Sequence, residues 1–121
     1  MLYNIEHMAR MTQPPAARLA SLDDDTVSQL AEMFRLMGDP TRLRIILGCL
    51  PGPRSVGDIA QRLGLSSSLV SHHLRLLRAA RVMRGRRHGK QVHYGVADEH
   101  ISRVFLDMLD HVAEPGGHDV A

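Results

Sequence analysis

The stretch Ser55-Val-Gly-Asp-Ile-Ala-Gln-Arg-Leu-Gly64-Leu-Ser66-Ser-Ser-Leu-Val-Ser-His-His-Leu-Arg-Leu-Leu-Arg-Ala-Ala80 decides the fold. Ser55 can cap a short helix over Val56 to Arg62, which Gly64 ends. Ser66 is the expected N-cap of a second helix, Ser67 to Ala80, that buries Leu69, Val70, Leu74 and Leu77. Helix, glycine-containing turn and helix together make a helix-turn-helix. Ser67, Ser68, Ser71, His72 and Arg75 then project outward from the first two turns. Small hydroxyls and a guanidinium in that place suit phosphate and base-edge contacts in a major groove. The plainer alternative is a solvated helix face.

Downstream, Val82 to Val96 reads as two short strands around a His88-Gly89-Lys90 turn. Arg84, Arg86, Arg87 and Lys90 crowd this hairpin. Between Asp58 and Asp98 the chain carries no acid, while Arg62, Arg75, Arg78 and Arg81 join the hairpin's cations, with His72, His73, His88 and His93. A positive hairpin after such a helix is a wing that lies against backbone phosphate. Arginines that blunt an exposed edge strand would look the same, and both readings can hold.

Upstream, Pro40 stands at the first position of a helix that places Leu43, Ile46, Leu47 and Leu50 in the core. Cys49 falls among these aliphatics and reads as a small buried hydrophobe. Before it, Asp23-Asp24-Asp25 supplies negative charge where a helix dipole favours it. Val27, Leu30, Met33, Phe34 and Met37 give that helix its apolar stripe, and Gly38-Asp39 ends it. Residues 1–22 read as a flexible N-terminal arm, since Pro14-Pro15 breaks any early helix. Residues 23–114 form the DNA-binding and dimerisation domain, and 115–121 a tail.

The last periodic stretch, Asp98 to Glu114, is an amphipathic helix with Ile101, Val104, Phe105, Met108, Leu109 and Val112 on its apolar side. Asp98 sits where an N-cap belongs, and Pro115-Gly116-Gly117 stops the helix. His100 and His111 are eleven positions apart, so they share a face but stand roughly 16 Å apart along the axis. The helix therefore offers two half-sites, Asp98/His100 and His111/Glu114, too distant to hold one ion. An antiparallel copy from a second chain would complete two symmetric sites of four ligands each. Taken singly, each ligand has an ordinary reading: Asp98 as a cap, His100 as a solvated residue, His111 paired with Asp107 on the surface.

Composition sets limits. A chain of 121 residues, 44% hydrophobic, is one domain with a modest core, and 3% aromatics make that core aliphatic. The single cysteine excludes an intrachain disulfide and suits a reducing cytoplasm. No apolar run approaches a membrane span, and no signal pattern opens the chain. An enzyme is disfavoured by the absence of His-Glu-x-x-His, of a glycine-rich phosphate loop, and of a nucleophile near a base. A small metal hydrolase is the weaker alternative, and no small organic substrate is expected.

Several motifs resemble the ArsR/SmtB family of winged-helix metal-sensing repressors, in particular its zinc-responsive branch. Asp98-x-His100 with His111-x-x-Glu114 resembles the family's sensing helix. Asp39-Pro-Thr-Arg-Leu-Arg-Ile-Ile resembles its second-helix signature. Leu69-Val-Ser-His-His-Leu-Arg-Leu-Leu resembles its recognition helix, and Arg87-His-Gly-Lys-Gln-Val-His-Tyr94 its wing. The likeness covers roughly residues 30–114. It implies a mainly helical winged helix-turn-helix with a small β-hairpin, a homodimer joined through N- and C-terminal helices. It implies repression at an inverted-repeat operator in double-stranded DNA, relieved when Zn(II) binds Asp98, His100, His111 and Glu114. Relatives that sense cadmium or lead carry a Cys-x-Cys-type pair before the recognition helix. Here Arg54 to Asp58 has no soft ligand, which leaves the nitrogen and oxygen donors of the last helix. Ni(II) or Co(II) would want more ligands, from His7, His118 or Asp119; a metal-independent regulator is the remaining variant.

Overall fold

The computed structural model describes residues 13–116. His7, His118 and Asp119 lie outside the described residues. The helices are α1 (Pro15–Ala20), α2 (Asp24–Met37), α3 (Pro40–Gly48), α4 (Val56–Leu63), α5 (Ser67–Ala79) and α6 (Glu99–Ala113). The strands are β1 (Arg54–Ser55), β2 (Met83–His88) and β3 (Gln91–Val96). The chain divides into two compact units, with the boundary inside α2 between Glu32 and Met33.

In the first unit the proline pair opens a helix rather than preventing one. Pro14 takes the cap position and Pro15 the first turn of α1, where a missing N–H and a fixed φ suit the helix. The expectation that Pro14-Pro15 breaks any early helix is thereby corrected. At the start of α2 the Asp23 carboxylate accepts from Thr26 N–H at 2.8 Å. Hydrogen bonds from Thr26 hold the Asp23 carboxyl below the usual range. Val27 and Leu30, expected on an apolar stripe, are exposed in the single chain.

The second unit carries the core: Ile45, Ile46, Val70, Leu74, Leu77, Val82 and Met83 are almost wholly enclosed, with Met37, Ile59, Ile101 and Phe105 around them. Asp39 caps α3 by accepting from Arg42 N–H at 3.0 Å, and Pro40 takes the first position as expected. Ile45 occupies a deep site that the spacing argument gave to Leu43, Leu47 and Leu50, which pack only partly buried against the cluster. In α5, Val70, Leu74 and Leu77 are buried, but Leu69 is 41% exposed and leaves the expected core set. The caps are as expected: Ser55 accepts from Asp58 N–H and Ser66 from Leu69 N–H, each at 3.1 Å.

The two helices of the helix-turn-helix end alike. Gly64 closes α4 at φ 66°, with Leu65 N–H reaching back to Ala60 O at 3.0 Å. At the end of α5, Arg81 takes the same left-handed conformation at φ 59°. Arg81 N–H bonds Arg78 O and Val82 N–H bonds Leu77 O, each at 2.9 Å, the paired bonds of a Schellman motif. This turn delivers the chain into β2.

The hairpin is antiparallel, with His88 opposite Gln91 across Gly89 and Lys90. It belongs to a three-stranded sheet of order β1-β3-β2, because Arg54 and Ser55 pair with Tyr94 and His93. The two-residue β1 was not legible beforehand, since two residues carry no alternation. Gly85 stands opposite Tyr94, and a Cβ there would meet the Tyr94 ring at 2.9 Å and Val92 at 3.0 Å.

Gly85→Ala is therefore expected to lower stability by about 1–3 kcal/mol, the usual range for overpacking. Gly57, in α4, has open space around its Cβ direction. Gly57→Ala should be neutral or stabilise by up to about 1 kcal/mol through the unfolded chain. Urea unfolding of both variants checks the contrast, and equal midpoints would contradict the packing argument at the wing base.

Candidate nucleic-acid interface and cation ligands

Ser67, Ser68, His72 and Arg75 are exposed on α5 and Ser71 is half-buried, so the outward set largely stands where the sequence placed it. Adjacent helical residues point about 100° apart, so His72 and His73 cannot face the same way. His73 turns inward, and its Nδ1 stands 3.4 Å from an Arg42 terminal nitrogen. Burial, then the Arg42 charge, push the His73 ring below its ordinary pKa, with His72 adding to the effect and Asp39 opposing it. The neutral ring can accept from the guanidinium through Nδ1. Arg42 Nε also donates to Leu36 O at 2.7 Å. Its backbone N–H, together with its charge, holds the Asp39 carboxyl below the usual range. Sequence reasoning had counted His73 only among the cations of a basic interval.

On the wing, Arg84, Arg86, Arg87 and Lys90 are all exposed, and no carboxylate pairs with them among the described residues. They do not share one face: strand alternation puts Arg84 and Arg86 on one side and Arg87 on the other. The His88 and His93 rings stack across the hairpin with centroids 4.6 Å apart. Arg78, near the end of α5, stands over the Tyr94 ring at 5.7 Å, which ties the wing to that helix. Asp58, the last acid before the basic interval, bonds Arg54 and Arg62 at 3.0 Å each. Those two hydrogen bonds hold its carboxyl below the usual range.

At the start of α6, Asp98 Oδ1 accepts from Ile101 N–H at 3.1 Å and lies 3.6 Å from His100 Nδ1. The capping and ligand readings of Asp98 are therefore compatible, since Oδ2 makes no hydrogen bond among the described residues. His111 and Glu114 are exposed at the far end. The helix stops one residue earlier than expected: Glu114 is its C-cap, at ψ 143°. Within one chain no three His, Cys, Asp or Glu of the described residues gather closely enough to hold an ion. Either pair of donors would need others to hold a metal, from a second chain or from beyond the described residues. Cys49 does not contribute, because burial pushes its thiol up to about 11.

Between the two ends, α6 turns Ile101 and Phe105 into the core and leaves Val104, Met108, Leu109 and Val112 exposed, Val112 at 78%. With Phe34, Leu43 and Leu47 these side chains line an apolar hollow of about 340 Å³. An exposed apolar patch of this kind marks an interaction surface.

The sequence pattern of "Bacterial regulatory protein, arsR family" matches residues 39–83. The chain is 36% identical over 105 residues to the transcriptional repressor SmtB homolog of Synechocystis, an alignment spanning 87% of this chain and 76% of that one. The chain belongs to the ArsR family. Among solved structures, the cadmium metal-sensor CmtR of Mycobacterium tuberculosis superposes with a TM-score of 0.60 at 35% identity, covering 75% of this chain and 97% of that one. The homodimeric winged helix-turn-helix DNA-binding domain of a possible ArsR-family regulator from Mycobacterium bovis gives 0.69 at 24% identity, covering 83% and 99%. The fold is thus a winged helix-turn-helix, and the protein, as a member of this family, is a transcriptional regulator rather than an enzyme.

The burial of His73, reinforced by the Arg42 charge, makes stability depend on pH. The folded ring titrates below the unfolded one, so its contribution is complete above the ordinary histidine pKa of about 6.5 and is lost as pH falls through the folded value. His73→Gln should therefore flatten the decline of the urea midpoint between about pH 7 and pH 5. An unchanged slope would remove His73 from the balance.

Proposed function

We propose that this ArsR-family chain acts in the cytoplasm as a dimeric repressor that leaves its operator when it binds a transition metal, Zn(II) foremost. The observation that carries the proposal is the layout of α6. Asp98 and His100 sit together at one end, His111 and Glu114 at the other, and an uncovered apolar stripe runs between them. Antiparallel pairing of two such helices would cover the stripe and bring each half-site to its complement. A bound ion would supply a cross-link between the two chains. Four nitrogen and oxygen donors suit Zn(II), and Ni(II) or Co(II) would need further ligands. The relatives support the class by name, one as a repressor and one as a cadmium metal-sensor.

In this reading α5 enters the major groove of an inverted-repeat operator with Ser67, Ser68, Ser71, His72 and Arg75. Arg84, Arg86, Arg87 and Lys90 of the wing follow the phosphates. The α6 seam sets the distance between the two α5 helices, and operator half-sites tolerate one spacing. Holding the seam in a different arrangement weakens DNA binding, and by linkage operator DNA weakens metal binding by the same factor.

Two ions per dimer are expected at saturation, with His100→Ala or His111→Ala abolishing tight binding. Heterodimers of these variants should regain one site, because one composite site loses both ligands and the other keeps all four. Saturating Zn(II) should lower affinity for an operator selected from random duplexes at least tenfold, about 1.4 kcal/mol. His111→Ala should lose that response and keep metal-free DNA binding. Heterodimers without an ion would refute the shared site; equal operator affinity with and without Zn(II) would refute the sensor.

For DNA, Arg75→Ala should weaken operator binding most. Arg86→Ala and Lys90→Ala should each reduce the salt dependence by about one charge, on specific and nonspecific duplexes alike. A salt slope that ignores the wing variants would take the wing off the phosphates.

A further inference from the structure

A second concavity, of about 920 Å³, opens where the end of α5, the start of β2 and the start of α6 meet. Arg75, Arg78, Arg81 and Arg84 all line it. Its floor is apolar and includes Met33, Met83 and Ile101, the last two buried. The one acid among its described lining residues, Asp98, already caps α6 through Oδ1. No carboxylate pairs with the four arginines among the described residues. Ligand cavities commonly span about 300–1,000 Å³ and combine apolar walls with a few convergent polar groups.

Arg81 adds an independent observation. It occupies the left-handed position of a Schellman motif, where glycine is the usual residue and an L side chain is strained. Glycine would suit the turn, as Gly64 suits the corresponding turn of α4. The sequence instead keeps a guanidinium there, on the wall of a cavity that already holds three. Four like charges around an apolar floor are repulsive until an anion joins them.

We propose that this cavity binds a small amphipathic anion, a phosphate or carboxylate attached to an apolar group. The guanidiniums take the anionic head, in bidentate fashion where the geometry allows. The methionine and isoleucine floor takes the apolar part. Arg75 and Arg84 also belong to the DNA surface described above, so a bound anion competes with backbone phosphate for the same side chains. Binding of the anion rests on the cavity alone; the competition rests on the DNA reading.

The probe is 1-naphthyl phosphate, titrated calorimetrically into the metal-free full chain at near-physiological salt. Saturable binding is expected, at least tenfold tighter than inorganic phosphate, which lacks the apolar part, or 1-naphthol, which lacks the charge. Arg81→Gly should weaken the probe at least fivefold and leave the urea midpoint unchanged or raised, because the turn accepts glycine. Arg78→Ala should weaken the probe similarly. Lys90→Ala, outside the cavity, should leave the probe unaffected. In a competition arm, the probe should displace operator DNA from the wild type and displace it less well from Arg81→Gly. Absence of saturable binding, or equal loss in Lys90→Ala, overturns the proposal in favour of a generally basic surface. Loss of DNA affinity in Arg81→Gly without any probe binding assigns the arginines to the DNA backbone and also overturns it. Probe binding that leaves DNA bound overturns the competition and leaves the cavity assignment standing.

Discussion

Arg42 joins segments that the order of the chain keeps apart. Its backbone N–H takes the Asp39 carboxylate, its Nε reaches the Leu36 carbonyl, and a terminal nitrogen stands beside His73. The end of α2, the first turn of α3 and the inward side of α5 thus meet at one guanidinium. Arginine remains charged across the ordinary pH range, so the variable partner is the histidine, whose pKa burial and the Arg42 charge lower. The outward residues of α5 inherit their direction from this inward contact. With Val70, Leu74 and Leu77 packed and His73 held, Ser67, Ser68, His72 and Arg75 have one way to face.

The architecture was legible in the sequence wherever a local rule had one solution. Ser55 and Ser66 are caps, Gly64 is a stop, and Asp98 precedes a periodic run; each needs only its neighbours to be understood. Reading failed where two local rules compete or where the partner is distant. Pro14-Pro15 was read as a break, although the same dipeptide supplies an extended residue and a first helical turn. Leu69 is exposed and Ile45 buried against the expected stripes, because spacing alone leaves the edges of a helical stripe undetermined. β1 depends wholly on pairing with β3, and Arg81 disguises a turn that glycine would have announced.

The candidate ligands read from the sequence as two pairs, and Asp98/His100 and His111/Glu114 stand at opposite ends of α6. Among the described residues of one chain no three such donors gather, and the apolar stripe of α6 is open there too. Both observations would follow from the proposed pairing of two such helices, which would cover the apolar side and complete each pair of donors. The buried thiol of Cys49 is the counterexample within the same core, a potential ligand that packing has withdrawn from chemistry.

The contact between Gly85 and Tyr94 has a consequence for how such a regulator can diverge. The base of the wing is held on both sides, by a glycine whose neighbours leave little room for a Cβ and by an aromatic ring that Arg78 covers. Toward the tip, Arg86, Arg87 and Lys90 are exposed, while Gly89 holds φ 61°, a left-handed conformation that suits glycine. Substitutions at Arg86, Arg87 and Lys90 can therefore change the charge of the tip without touching the packing at its base. The hairpin thus joins a base held by packing to a tip whose charge packing does not hold.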